Sequence, residues 1–174
     1  ANNNILDSLL MRNAGGANIM IFAGNNNNTI QKSVIRENKP EVGKERNCIH
    51  FKNGPDNTRV ISNELYDCTK SIYLNEFGSA GGTIIENNDM YVTPATYTDC
   101  NGNYTTSGKC TTGKALISMK SGGDPDNYIE ILQNRIWGMR TNDRNVCCTA
   151  RSSGSAVTFS IPKDANVNQR GASY

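Results

Sequence analysis

The chain has 174 residues, 20% of them charged, and a formal charge of +2, enough length for one sizeable core and short for two. Its charge is spread without a basic block, which argues against a nucleic-acid footprint or a polybasic membrane patch, and no apolar run nears the roughly 20 residues that span a bilayer. Asn, Gly, Ser and Thr are abundant while Leu and Ala are sparse, a composition that starves long helices and favours short strands joined by polar turns, so an all-β chain is expected.

From the N-terminus onward, one pattern occurs five times: an apolar residue, two others, Ser or Asn, one other, then an apolar residue. The instances are Ile5/Ser8/Leu10, Ile30/Ser33/Ile35, Val60/Asn63/Leu65, Ile85/Asn88/Met90 and Ile131/Asn134/Ile136. The last step is the longest because residues 92–113 form an insertion. A second apolar pair follows each instance, namely Ile19/Ile21, Ile49/Phe51, Ile72/Leu74, Ile117/Met119 and Val157/Phe159. A spacing of two puts both members on one face of a strand. Each repeat is therefore a short strand, a Ser/Asn corner, a short strand and a polar turn such as AGNNNN, NGPDN or SGGDPDN.

Such a unit cannot bury its apolar face alone, whereas stacked copies share a continuous core. A parallel β-helix of about five coils over one domain, residues 1–174, is the architecture that fits. Ser and Asn suit its corner because they tolerate bends and bond to the neighbouring coil, so Ser8, Ser33, Asn63, Asn88 and Asn134 are expected to form a ladder. A β-sandwich is the competing all-β fold but does not require the recurrence, and the leucine-rich-repeat consensus is absent. Neither end shows an amphipathic capping helix, so the chain is expected to be a segment of a longer β-helix or to self-associate through an open edge.

The six cysteines have no Cys-x-x-Cys spacing and there is one histidine, which favours disulfides over zinc. Cys100 and Cys110 bracket a short Gly/Asn/Thr loop, making the insertion a disulfide-bearing one, and Cys48 with Cys68 spans neighbouring turns. The adjacent Cys147 and Cys148 are left without an assignment. Asn27 and Asn103 head Asn-x-Thr sequons, in keeping with glycosylation and a secreted, extracellular protein.

The strands punctuated by ENN, LQN and NGPDN, and the segment ISMKSGG followed by NYIEILQNRIWGMR, resemble the right-handed parallel β-helix superfamily that includes pectate lyases and related polysaccharide lyases and hydrolases. The resemblance implies a secreted protein that acts on or binds an acidic polysaccharide. Fold alone does not carry function, since adhesins, surface proteins and fibre components share the architecture. A non-catalytic extracellular β-helix or sugar-binding scaffold is therefore the second reading.

If Ile49 and Phe51 point inward, their strand neighbours point outward. Aligned coils then give two outward columns, Met20, His50, Tyr73, Ser118, Thr158 and Phe22, Lys52, Asn75, Lys120, Ser160. A uronan lyase needs a base for the proton beside the carboxylate, a proton donor for the leaving oxygen, and a group that neutralises the carboxylate. Lys120 or Lys52 suits the base, Tyr73 or His50 the donor, and Asn75 and Arg140 the carboxylate. Ordinary solubilising surface positions are the competing explanation for each. Calcium, which such lyases use to bridge enzyme and carboxylate, would find oxygen ligands in Glu76, Asp124 and Asp126, although turn chemistry alone explains Asp-Pro-Asp-Asn. For a hydrolase, Glu64, Asp67, Glu86 and Asp89 supply no compelling close pair. Trp137 is expected to pack between coils, with sugar stacking as its functional alternative.

Overall fold

A computed structural model describes residues 2–12, 14, 16–36, 47–75, 81–91, 93, 115–119, 128–137 and 155–159. Among them there is no helix, and fifteen strands form three five-stranded parallel sheets. Sheet 1 contains β1 (Ile5–Asp7), β4 (Thr29–Gln31), β7 (Arg59–Ile61), β10 (Ile84–Glu86) and β13 (Glu130–Leu132). Sheet 2 contains β2 (Leu10–Arg12), β5 (Val34–Arg36), β8 (Glu64–Tyr66), β11 (Asp89–Tyr91) and β14 (Arg135–Trp137). Sheet 3 contains β3 (Ala17–Phe22), β6 (Asn47–Lys52), β9 (Lys70–Asn75), β12 (Ala115–Met119) and β15 (Ser155–Phe159). Every third strand joins the same sheet, so the chain winds as an all-β solenoid with one strand per sheet in each coil.

The repeated apolar positions become inward columns. Ile30, Val60 and Ile85 stack in sheet 1, and Ile35, Leu65 and Met90 stack in sheet 2, all at 0% exposure. Ile49, Ile72 and Ile117 do the same in sheet 3, beside Phe51 and Leu74. Each such side chain contributes roughly 1.5–3 kcal/mol by leaving water, and no single coil could collect that contribution without the coils on either side.

The first coil departs from the expected alignment by one residue. Leu6, not Ile5, pairs with Ile30, and Met11, not Leu10, pairs with Ile35. Ile5 and Leu10 are 68% and 64% exposed, while Leu6 and Met11 pack against the core. A one-residue shift swaps the two faces of a strand. Because Ile5 and Leu6, and likewise Leu10 and Met11, are both apolar, hydrophobic spacing alone could not choose between the registers. The ladder position in this coil therefore belongs to Leu9, and Ser8 is the residue before it.

The two-residue corner between sheets 1 and 2 has one conformation throughout. Its first residue is left-handed in every coil, with φ of 55° at Ser8, 49° at Lys32, 55° at Ser62, 54° at Asn87 and 52° at Gln133. Left-handed backbone costs an L-residue about 1–2 kcal/mol. Here the N–H groups of Ser8, Lys32, Ser62 and Asn87 each donate to a carbonyl of the next coil, those of Gln31, Ile61, Glu86 and Leu132, at 3.0–3.2 Å.

The second corner residue builds the ladder. Asn63, Asn88 and Asn134 accept through Oδ1 from the backbone N–H of Ser33, Asn63 and Asn88, and Ser33 accepts through Oγ from that of Leu9. The Asn Nδ2 groups reach back to the carbonyls of Ile30, Val60 and Ile85 at 2.8–2.9 Å. At the turn before sheet 1 a second ladder runs the other way along the axis. There the N–H of Asn26, Asp56 and Gly81 donate to the side-chain oxygens of Asn2, Asn26 and Asp56 in the preceding coil.

The connections differ sharply in length. Sheet 1 always leads to sheet 2 through two residues, whereas sheet 2 leads to sheet 3 through residues 13–16, 37–46, 67–69, 92–114 and 138–154 in successive coils. A disulfide joins Cys48, at the start of β6, to Cys68 in the shortest of these connections. That is one of the two expected pairings. Cys100, Cys110, Cys147 and Cys148 lie outside the described residues.

Candidate functional site

Sheet 3 brings four of the expected site residues together. Parallel pairing of β6 with β9 sets His50 beside Tyr73 and Lys52 beside Asn75. The His50 and Tyr73 rings stack at 4.9 Å with 26° between planes, and Lys70 Nζ sits 3.6 Å from the centroid of the Tyr73 ring. The face is less open than an outward column suggests. Tyr73 is 5% exposed, Ser118 7% and Lys70 5%, whereas His50 and Lys52 are half-buried. Among the described groups read as proton carriers, His50 and Lys52 are thus less buried than Tyr73, although His50 Nε2 is itself covered. In the first coil the same face turns apolar and open at Met20 and Phe22.

Lys120, Arg140, Glu76, Asp124, Asp126 and Asn103 lie outside the described residues. Among the described residues no group of three or more His, Cys, Asp or Glu side chains could hold a metal ion, and no helix is long and apolar enough to cross a membrane. Asn27 is exposed in a left-handed turn position with φ of 58°.

Sheet 2 presents a second polar and aromatic arrangement that hydrophobic spacing did not reveal. Tyr66, Tyr91 and Trp137 are register partners on successive strands. Their rings stack at 4.9 Å and 4.2 Å with interplanar angles of 3° and 12°, and Arg36 Cζ lies 5.6 Å from the Tyr66 ring centre. One column closer to the corner, Glu64, Asp89 and Arg135 are register partners. The Tyr91 hydroxyl donates to Glu64. Asp89 accepts from Arg135 Nε at 2.9 Å, from Arg135 Nη2, and from Trp137 Nε1 at 2.7 Å. The signal was present in the sequence: Glu64, Tyr66, Asp89, Tyr91, Arg135 and Trp137 stand one or three places after a corner Asn, and Arg36 stands three after Ser33. Trp137 proves to be a coil-packing residue that also keeps 43% of its surface open.

The electrostatics follow from those contacts. Hydrogen bonds from Arg135 hold the Asp89 carboxyl below the ordinary carboxylate range, with the Trp137 N–H assisting against partial burial. Burial, then the hydrogen bond to Glu64 and its charge, push the Tyr91 hydroxyl above the ordinary phenol range. A carboxyl whose pKa is lowered on folding stabilises above its unfolded pKa and loses that contribution as pH falls through the folded value. Asp89→Asn is therefore expected to lower stability at neutral pH by at most about 1 kcal/mol, since the Arg135 side chain is 72% exposed and screened. The deficit should shrink toward zero in acid, where the wild-type carboxyl is protonated as well. Urea unfolding of both proteins at neutral and acidic pH checks this, and a pH-independent deficit would assign the loss to packing instead.

Comparison of the chain with protein-family models, curated proteins and solved structures gives no match.

Proposed function

We propose that this chain is a secreted, right-handed parallel β-helix of five coils, with residues 92–113 inserted in the fourth, that acts on an acidic polysaccharide by β-elimination. What supports the reading is the clustering of His50, Lys52, Tyr73 and Asn75 at four adjacent positions of two paired strands. Lys52 takes the proton from the carbon beside the uronate carboxylate, the C–H bonding pair forms the new C=C bond, and the glycosidic oxygen leaves with the C–O pair and takes a proton from His50. A lysine does this only in its neutral form. Asn75 and Arg140 hold the carboxylate. Lys120, which follows Met119 in the sequence, is the other candidate base. The Cys48–Cys68 disulfide is in keeping with an oxidising compartment.

The test is ultraviolet absorbance of the unsaturated uronate during incubation with pectate, alginate and glycosaminoglycans. Calcium is added or withheld, because Glu76, Asp124 and Asp126 carry the oxygen ligands the resemblance implies. Product formation is expected, with a loss of about a hundredfold or more in rate for Lys52→Ala or Lys120→Ala. Absence of product on every uronan ends the lyase reading.

The burial of Tyr73 favours a second reading, a non-catalytic extracellular β-helix that binds sugar or builds a surface fibre. Its mark is unsaturated product from no substrate together with defined multimers in solution.

A further inference from the structure

We propose that Asn53 is a site of spontaneous deamidation, at which the chain acquires aspartate and isoaspartate in the turn that leaves sheet 3. Asn53 and Gly54 are an Asn-Gly pair, both left-handed, with φ of 62° and 70°. Asn53 is exposed. Deamidation requires the backbone nitrogen of the next residue to reach the asparagine side chain, and glycine, without a Cβ, hinders that approach least.

The turn is pinned at both ends and open between them. The Lys52 carbonyl accepts from the Ala23 N–H at 2.9 Å, and the Asp56 N–H donates to Asn26 Oδ1 at 3.0 Å. Among the described residues, neither the Asn53 amide nor the Gly54 N–H has a hydrogen bond. In the corresponding turn of the first coil Gly24 is left-handed too, but both the N–H and Nδ2 of Asn25 donate to the Phe22 carbonyl at 3.1 Å and close it. Phe22 is the register partner of Lys52, so Pro55 stands where Asn25 does, and proline has no N–H to close the turn. Rotating the Asn53 backbone until the Gly54 nitrogen meets Cγ therefore breaks no hydrogen bond of either group.

The ladder asparagines are held in the opposite condition. Asn63 and Asn88 are 2% and 1% exposed, and their amides bond the neighbouring coils. The nitrogens that would attack them are also engaged, since the N–H groups of Glu64 and Asp89 donate to the carbonyls of Ser33 and Asn63 at 2.9 Å and 2.8 Å.

The reaction needs base and water alone. The Gly54 nitrogen loses its proton to hydroxide and attacks Asn53 Cγ. The new N–C bond closes a cyclic imide, and the Cγ–Nδ2 bond breaks, its electron pair leaving with the nitrogen, which takes up a proton and departs as ammonia. Water then opens the ring. Attack at the side-chain carbonyl gives aspartate, and attack at the main-chain carbonyl gives isoaspartate, whose backbone runs through Cβ and Cγ. In sum, amide and water become carboxylate and ammonium. Either product sets a negative charge one residue after Lys52, and isoaspartate lengthens the main chain between two anchored points. None of this depends on Lys52 being catalytic.

The test incubates the full folded chain at mildly alkaline pH. Trypsin, cutting after Lys52 and Arg59, releases residues 53–59, and the second Asn-Gly, at 101–102 and outside the described residues, falls in a different peptide. Fragmentation mass spectrometry locates the carboxylate, and enzymatic methylation of isoaspartate counts the rearranged product. Conversion at Asn53 is expected, faster as pH rises and with both products present. Asn63 and Asn88 should convert at least about a hundredfold more slowly than Asn53 until urea unfolds the chain. Asn53→Gln should remove the isoaspartate from residues 53–59. Two outcomes overturn the proposal: an Asn53 amide that stays intact in the folded chain, or conversion of Asn63 and Asn88 in the folded chain as fast as that of Asn53.

Discussion

Replacing Asn88 with Ala is expected to lower the unfolding free energy by about 3–5 kcal/mol. The side chain is 1% exposed and serves both neighbouring coils. Its Oδ1 accepts from the backbone N and from Nδ2 of Asn63, both at 3.0 Å, while its Nδ2 donates to the carbonyl of Val60 at 2.8 Å and to Asn134 Oδ1 at 2.9 Å. Alanine leaves a buried amide and a buried carbonyl without these partners, and each costs about 1–3 kcal/mol. A small cavity adds to the loss. Ser8→Ala is the informative control. Its hydroxyl donates to Asp7 on the exposed surface, so its loss should change stability by no more than about 0.5 kcal/mol. A ladder running through Ser8, as the apolar spacing suggested, would instead make that substitution expensive. Denaturant unfolding of the two variants decides the matter, and a loss below about 1 kcal/mol for Asn88→Ala would mean that water replaces the side chain.

The double substitution Cys48→Ala and Cys68→Ala is expected to cost about 3 kcal/mol. The two cysteines are 20 residues apart, and closing a loop of that length in the unfolded chain removes entropy worth roughly this amount. Both are at 0% exposure, so the bond is a buried staple between consecutive coils rather than a surface link. Reduction of the wild type under denaturing conditions, followed by refolding in reductant, should lower the midpoint at least as far as the double substitution does. Equal midpoints for oxidised and reduced wild type would show that stacking alone fixes these coils.

The solenoid was legible in the sequence because its period is carried by columns of identical chemistry. The inward pairs Ile19/Ile21, Ile49/Phe51, Ile72/Leu74 and Ile117/Met119 fall in register as their spacing indicates. Asn63, Asn88 and Asn134 bond as a corner ladder should. The first coil was misaligned where neighbouring positions are both apolar, since periodicity carries no information when either register buries a similar volume. Of the candidate site, the juxtaposition of His50 with Tyr73 and of Lys52 with Asn75 followed from the same register. The burial of Tyr73 did not, because outward columns are covered or left open by what packs over them and not by strand alternation. The sheet 2 network escaped because Tyr66, Tyr91 and Trp137 are separated by 25 and 46 residues and acquire meaning only as a stack.

The constant two-residue corner and the variable sheet 2 to sheet 3 connections imply an unequal tolerance to change around the coil. At the corner, an added residue would displace a left-handed N–H and an Asn side chain that the next coil already uses, so length is locked there. At the other edge, connections of three to 23 residues coexist within one molecule, and doubling the length of a flexible loop adds only about 0.6 kcal/mol of closure entropy. That edge lies at the end of sheet 2 where Tyr66, Tyr91 and Trp137 stack, whereas Lys52 closes β6 at the opposite end of sheet 3. New surface can therefore be acquired or lost beside the aromatic stack without renegotiating the core, which makes this edge the place to graft foreign loops.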